Sequence, residues 1–316
     1  MLTIFALPRA FQGHNGIIQT NAIQSWTQLR PACEIILFGD DEGTAETAAK
    51  FGIRHVAEVE RNEYGTPLVN SLFNAAQKLA SHDCIGYVNA DILLLSDFVN
   101  AIGQVQERTS LIIGRRWDLA LREPLDFSNP DWEAQLRIRL AEEGSLHGLS
   151  GIDFFLFRRG TYYDIPPFAI GRTAWDNWLI YRARSSGLPV IDATEVATII
   201  HQDHDFTHIA AIQANAGQVY RKGIEGIRNR ELLGGNYYSF GLLDATYRLT
   251  PAGLKPTMTM SLRYLLYRLL RLPEMHPHLI PLVQLIKGLR SLYYSLRFRA
   301  AVMKRRLQKH RLTDSS

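Results

Sequence analysis

The stretch CIGYVNADILLLSDFV, residues 84–99, runs an apolar strand pattern into Asn89-Ala90-Asp91 and then resumes it from Ile92 to Leu95. An amide and a carboxylate sit badly in a buried strand. A strand that merely stops and turns is the plain reading, but the residues after Asp91 stay apolar with no glycine or proline among them. A strand end at which polar groups face a ligand instead of the core accounts for the pattern better.

Outward from that stretch, strand and helix signals alternate: LTIFALP, IIQTNAIQSWTQLR, CEIILFGDD, GTAETAAKFGI, RHVAEV, LVNSLFNAAQKLA, then the opening stretch, DFVNAIGQVQER and SLIIGRRWDL. Strands separated by helical segments of about 10 to 15 residues predict βαβ units and a mainly parallel sheet, with ligands at the carboxyl ends of the strands. Two such ends carry acids, Asp40-Asp41 after IILF and Asp91 after IGYV. Residues 118–149 read as a loop with Pro124 and Pro130 followed by a charged helix, placed to cover the strand-end crevice. The strand GIDFFLFRR, the helix TAWDNWLIYRARSSG, the short strand PVIDA and VATIIHQDHDFTH follow.

At 316 residues and 46% hydrophobic, the chain can bury a large α/β core. Two cysteines, Cys33 and Cys84, exclude a disulfide framework and a thiolate zinc site. No apolar run reaches the roughly 18 residues that cross a bilayer, and the N-terminus lacks the pattern of a secretion signal, so a cytoplasmic location is the expectation. The net charge of +4 conceals an asymmetry: residues 258–311 hold twelve Lys or Arg against the single acid Glu274, leaving the rest acidic. With apolar residues at helical spacing, this tail reads as two basic amphipathic helices suited to the inner face of an anionic membrane, or to packing on the catalytic domain or a second copy of the chain in a homo-oligomer. Nucleic acid would leave the apolar stripe unexplained. The expected division is 1–210 catalytic, 211–257 connecting and 258–316 tail.

VNADILLL resembles the DxD-type motif of GT-A glycosyltransferases of the family 2 kind, with Asn89 where an Asp is usual. The resemblance spans about residues 1–210 and implies a Rossmann-like GT-A fold, a nucleotide-sugar donor (UDP-sugar favoured), a glycan or lipid-linked acceptor, and Mn2+ or Mg2+. A hard cation bridging the diphosphate stabilises the leaving group, which calls for an oxygen ligand such as Asp91. Asn89 would contact the ribose, and Asp40 or Asp41 the nucleobase. Pro8, Arg9, Thr66 and Asn70 join the expected nucleotide-sugar contacts, although Asn70 is also explained by a half-polar helix. A late histidine, His201 or His204, would complete the metal shell. Asp176 is the expected general base of an inverting transfer, with Asp153 the second candidate carboxylate. The spacing of Thr173 and Asp176 also fits a capping box. Alternatives are a nucleotidyltransferase making the sugar nucleotide, although LPRAFQGHNG lacks a Gly-rich phosphate loop, and a degenerate, non-catalytic transferase-like scaffold.

Overall fold

A computed structural model describes residues 1–105, 109–202, 223–234, 239–257 and a few positions between 281 and 289. The chain divides into two compact units, Met1–Ser261 and Leu262–Ser316. The first opens with β1 (Leu2–Ala6), α1 (Gly13–Gln28), β2 (Glu34–Phe38), α2 (Thr44–Phe51), β3 (Arg54–Val56), α3 (Val69–Leu79) and β4 (Cys84–Val88). There follow β5 (Ile92–Leu94), α4 (Ser96–Gly103), β6 (Leu111–Ile113), β7 (Trp117–Leu119), α5 (Trp132–Glu143), β8 (Ser145–Leu146), β9 (Phe154–Arg158) and α6 (Trp175–Ser185). The unit finishes with β10 (Val190–Asp192), β11 (Ile199–Gln202), α7 (Ile224–Leu232), a short 3-10 turn at Leu242–Asp244, β12 (Tyr247–Thr250) and β13 (Gly253–Pro256).

The expected α/β architecture with a mainly parallel sheet is present. Nine strands run in the order β13-β12-β10-β6-β9-β4-β1-β2-β3. β9 is antiparallel to both β4 and β6, and β13 is antiparallel to β12, while the other pairs are parallel. All five residues of β1 and of β4 are buried, as expected for strands covered on both faces. On β4, Gly86 leaves room for Leu156 of β9; a Cβ there would lie 2.0 Å from the leucine Cδ2.

A second sheet, β5-β11-β7-β8, explains the interrupted stretch. The chain leaves the large sheet at Val88, crosses at Asn89-Ala90-Asp91 and enters the small sheet at Ile92, so both flanks are buried strand and only the crossing is polar. Helix α1 holds the far side of this crossing through polar side chains on its buried face. Trp26 Nε1 donates to Ile92 O at 2.8 Å, and Leu94 N donates to Ser25 Oγ at 3.1 Å.

One expectation of domain organisation is corrected. The boundary at residue 210 does not divide the sheet, because β12 pairs with β10 and β13 with β12, so residues up to 256 extend the same sheet instead of connecting it to a tail. The tail expected at 258–316 lies outside the described residues apart from helical positions between 281 and 289, where Leu282, Leu285 and Leu289 are exposed. Among the described residues no helix is long and apolar enough to cross a membrane.

Candidate active site

A cavity of about 630 Å³ opens at the carboxyl ends of the central strands. Its wall includes Pro8 and Arg9 after β1, Asp41 after β2, Asn89 and Asp91 after β4, and Arg116 beyond β6. Because β9 runs antiparallel between β4 and β6, its entry residue Asp153 arrives at the same edge. The strand order turns at β1, with β2 on one side and β4 on the other, which is where open α/β sheets form a crevice.

Strand register builds the acidic side. β11 pairs antiparallel with β5, setting His201 opposite Ile92, and parallel with β7, setting it opposite Asp118. His201 Nε2 therefore lies 3.6 Å from Asp91 Oδ2, and its Nδ1 lies 3.8 Å from Asp118 Oδ1. Burial opposes charge on this imidazole, but the neighbouring carboxylates of Asp91 and Asp153 outweigh it and raise the pKa. Arg116 donates to Asp118 and to Asp153, each at 2.9 Å, and Asn89 Nδ2 donates to Asp153 Oδ1 at 2.6 Å. His147 Nδ1 meets the other Asp118 oxygen at 2.5 Å. The result is a ring of charged and polar side chains around the crossing, closed by the backbone between Asn89 and Asp91: Asp91, His201, Asp118, Arg116, Asp153, Asn89. Next to His201, the buried Gln202 donates to the main-chain oxygens of Asp91 at 3.0 Å and Ile18 at 2.7 Å, which pins the Asp91 backbone to α1.

The opposite wall is made differently. Asp176 is the second residue of α6, and the residue before the helix, Ala174, adopts φ 90°, a left-handed conformation that side chains rarely take. The capping box expected from Thr173 is not formed; the helix begins one residue later, and Asp176 itself accepts from backbone N–H groups at the helix start. Burial raises the Asp176 pKa, Asp153 adds to the rise, and the backbone donors offset only part of it. Its loop is held by α7. Asn229, 1% exposed, donates to Ala169 O at 2.9 Å and Thr173 O at 3.1 Å and accepts from Ala169 N. One turn earlier, Glu225 accepts from Arg172 at 2.7 and 3.0 Å and from Asn62 at 2.7 Å, and Thr66 also hydrogen-bonds to it. Arg172 and Thr66 both line the cavity, so one buried carboxylate ties two segments of its wall together.

Of the residues singled out in the sequence, Pro8, Arg9, Asp41, Thr66, Asn89, Asp91, Asp153 and Asp176 line this one cavity. His201 stands behind Asp91 in contact range. Arg9 is held by buried Gln19, which bonds both its main-chain N–H and its carbonyl, at 2.7 and 2.9 Å. Asp40 is not in the wall: Gly39 turns the chain at φ 96°, and Asp40 faces solvent in an ion pair with Arg61. Asn70 is also outside the wall, with its Oδ1 buried and lacking a hydrogen-bond partner among the described residues. His204 lies outside the described residues. Arg116, Asp118, His147, Arg172, Gln202, Glu225 and Asn229 carried no local signal in the sequence; apart from the Arg116–Asp118 contact, their partners in the site are remote in the chain.

No protein-family model matches the chain, and no curated protein matches it. In structure it is similar to glucosyl-3-phosphoglycerate synthase from Mycobacterium tuberculosis, solved with Mg2+ and uridine-diphosphate, at 15% identity over 74% of this chain and 80% of that one, with a TM-score of 0.43. It is similar to a mannosyltransferase from Pyrobaculum calidifontis in complex with GDP-Man and Mn2+, at 15% identity over 73% and 69% of the two chains and a TM-score of 0.41. TarS from S. aureus matches at 12% identity over 73% of this chain and 42% of that one, with a TM-score of 0.43.

Proposed function

We propose that the protein is a GT-A-type glycosyltransferase that moves a sugar from a nucleoside-diphosphate donor to an acceptor hydroxyl with the help of Mn2+ or Mg2+. The observation that carries this reading is the approach of Asp91 Oδ2 and His201 Nε2 to 3.6 Å beside a large polar cavity at the strand ends. That spacing suits two neighbouring ligands of one octahedral ion, and a carboxylate with an imidazole suits Mn2+ or Mg2+ once the imidazole is neutral. Among the described residues no group of three or more acid, histidine or cysteine side chains is set to hold a metal, so the remaining positions would go to the donor's phosphates and to water. Bound there, the ion would stabilise the charge that develops on the departing nucleoside diphosphate.

The chain's own groups divide the remaining work. Pro8, Arg9, Asp41 and Thr66 line the part of the cavity assigned to the nucleotide, with Asp41 able to accept from a base N–H. Burial raises the pKa of Asp153 too, but both of its oxygens already accept hydrogen bonds, from Asn89 and Arg116, so its role is to hold the ring together. Asp176 is the better base. It lines the cavity, and its raised proton affinity brings it closer to the range in which a carboxylate can take a proton from an attacking hydroxyl. Inversion at the sugar carbon follows if that hydroxyl attacks the face opposite the diphosphate.

The test is a donor screen. UDP- and GDP-sugars are incubated with the protein, with Mn2+ and with EDTA, and release of nucleoside diphosphate is followed. Mn2+-dependent release from at least one sugar nucleotide is the expected result; no release from any of them, with or without acceptor mixtures, would reject the assignment.

A further inference from the structure

Tyr87 is a buried residue whose side chain the fold leaves open to the cavity. It sits near the end of β4 in register with Phe5 of β1 and Phe155 of β9. Strand alternation puts it on the face opposite Gly86 and Val88. Its ring meets Phe5 edge-on at 5.6 Å, stacks on Phe73 at 5.7 Å and meets Trp175 edge-on at 5.3 Å. The residue is only 4% exposed, yet it lines the cavity. A tyrosine hydroxyl in such a site ordinarily finds a hydrogen-bond partner; this one is not sealed in the core and makes no hydrogen bond among the described residues, so its O–H is available to the cavity. The charged groups that act on it, Asp91, Asp153 and Arg9, all belong to the cavity wall. Burial, reinforced by the two acids, raises its pKa well above the usual tyrosine range, so it stays a neutral O–H donor at working pH.

Tyr87 packs against Trp175, which precedes Asp176 at the end assigned to the acceptor, and it feels the charge of Asp91 at the end assigned to the diphosphate. We propose that the Tyr87 hydroxyl hydrogen-bonds the transferred sugar of the donor and is a specificity-determining residue for that sugar. This inference rests on the glycosyl-transfer reading above. It assigns the O–H to the sugar, the part of the donor that must lie between the diphosphate held at Asp91 and the acceptor activated at Asp176. A ring locked in an aromatic cluster also supplies its hydroxyl at a fixed position, which is what discrimination between sugar epimers requires.

Tyr87→Phe keeps the ring and its packing and removes only the donor, and thermal melting checks that the fold is unchanged. Wild type and variant are titrated calorimetrically with UDP, GDP, UDP-glucose and GDP-mannose, each with Mn2+. Whichever nucleoside diphosphate binds should bind both proteins equally, while its sugar-bearing form should bind the variant about 5- to 20-fold more weakly, the effect of one lost hydrogen bond. Equal affinity of the sugar nucleotide for both proteins overturns the Tyr87 assignment and leaves glycosyl transfer standing. Weaker binding of the nucleoside diphosphate itself would move the hydroxyl to the diphosphate and also overturn it. A wild type that binds none of the four probes removes the glycosyl-transfer reading, and this inference with it.

Discussion

The two walls of the cavity are built on different principles. On the Asp91 side, strand register does the placing: two pairings of β11 put His201 between Asp91 and Asp118, and the antiparallel entry of β9 brings Asp153 to Asn89. On the Asp176 side no strand intervenes. A left-handed alanine starts the helix, and α7, arriving some fifty residues later, clamps the loop before it through Glu225 and Asn229. Register is set by the packing of whole sheets and tolerates side-chain changes, whereas a clamp made of a few buried hydrogen bonds depends on each of them. The Asp91 wall should therefore lose chemistry without losing structure, and the Asp176 wall should be sensitive in both.

The largest effect is expected at Asp91. Asp91→Ala should abolish transfer and weaken Mn2+ binding in the presence of nucleotide by at least about 10- to 100-fold, taking the losses seen for supporting residues as a floor. The melting temperature should hardly move, because Gln202 grips the Asp91 main chain and not its carboxylate. A variant that unfolds would show that the charge ring is structural and that register alone does not carry this wall.

Next in size is Asp176→Asn. The amide preserves acceptor capacity for the backbone N–H groups at the helix start, so stability should stay close to wild type while kcat falls by about 10²- to 10⁴-fold. Retained turnover would mean that the side chain serves only the helix end, and the product's anomeric configuration should be measured alongside.

A smaller effect, mainly on stability, is expected at Glu225. Burial disfavours its charge, but donors from Asn62, Thr66 and Arg172 prevail and hold its pKa below the ordinary 4.5. A depressed folded pKa stabilises fully above that value, and the contribution is lost as pH falls below it through the folded pKa. Glu225→Ala should accordingly cost about 1–3 kcal/mol at pH 7, and the gap between wild type and variant should narrow as the pH is lowered from 5 toward 3. A gap independent of pH in urea titrations would remove the clamp's electrostatic part.

This contrast also explains what the sequence made legible. The polar crossing at Asn89–Asp91 could be read because the interruption is local: apolar residues flank it within one stretch. Asp41, Thr66 and Asp176 could be read because each follows an element boundary that leaves a periodicity signal. Of the paired acids at 40 and 41, only one reaches the cavity, since the turn at Gly39 sends its neighbour outward to Arg61, and nothing in the two letters distinguishes them. The pairings of Arg116 with Asp153, of Arg172 with Glu225 and of Asn229 with Ala169 were silent for another reason. The partners lie 37 residues apart for Arg116 and Asp153, 53 for Arg172 and Glu225, and 60 for Asn229 and Ala169. Such pairings exist only once the sheets are assembled. The extension of the sheet by β12 and β13 was hidden in the same way, because a short edge hairpin reads like linker until it finds β10.

The central claim is that Asp91 and His201 are two ligands of one divalent ion at the donor site. Crystals of the full chain grown with Mn2+ and a nucleoside diphosphate would test it through an anomalous difference map at a wavelength that distinguishes manganese. The account predicts one strong peak within about 2.3 Å of both Asp91 Oδ2 and His201 Nε2, touching the diphosphate oxygens. A bound nucleotide whose manganese peak lies away from this pair, or a map with nucleotide density and no peak there, would contradict it.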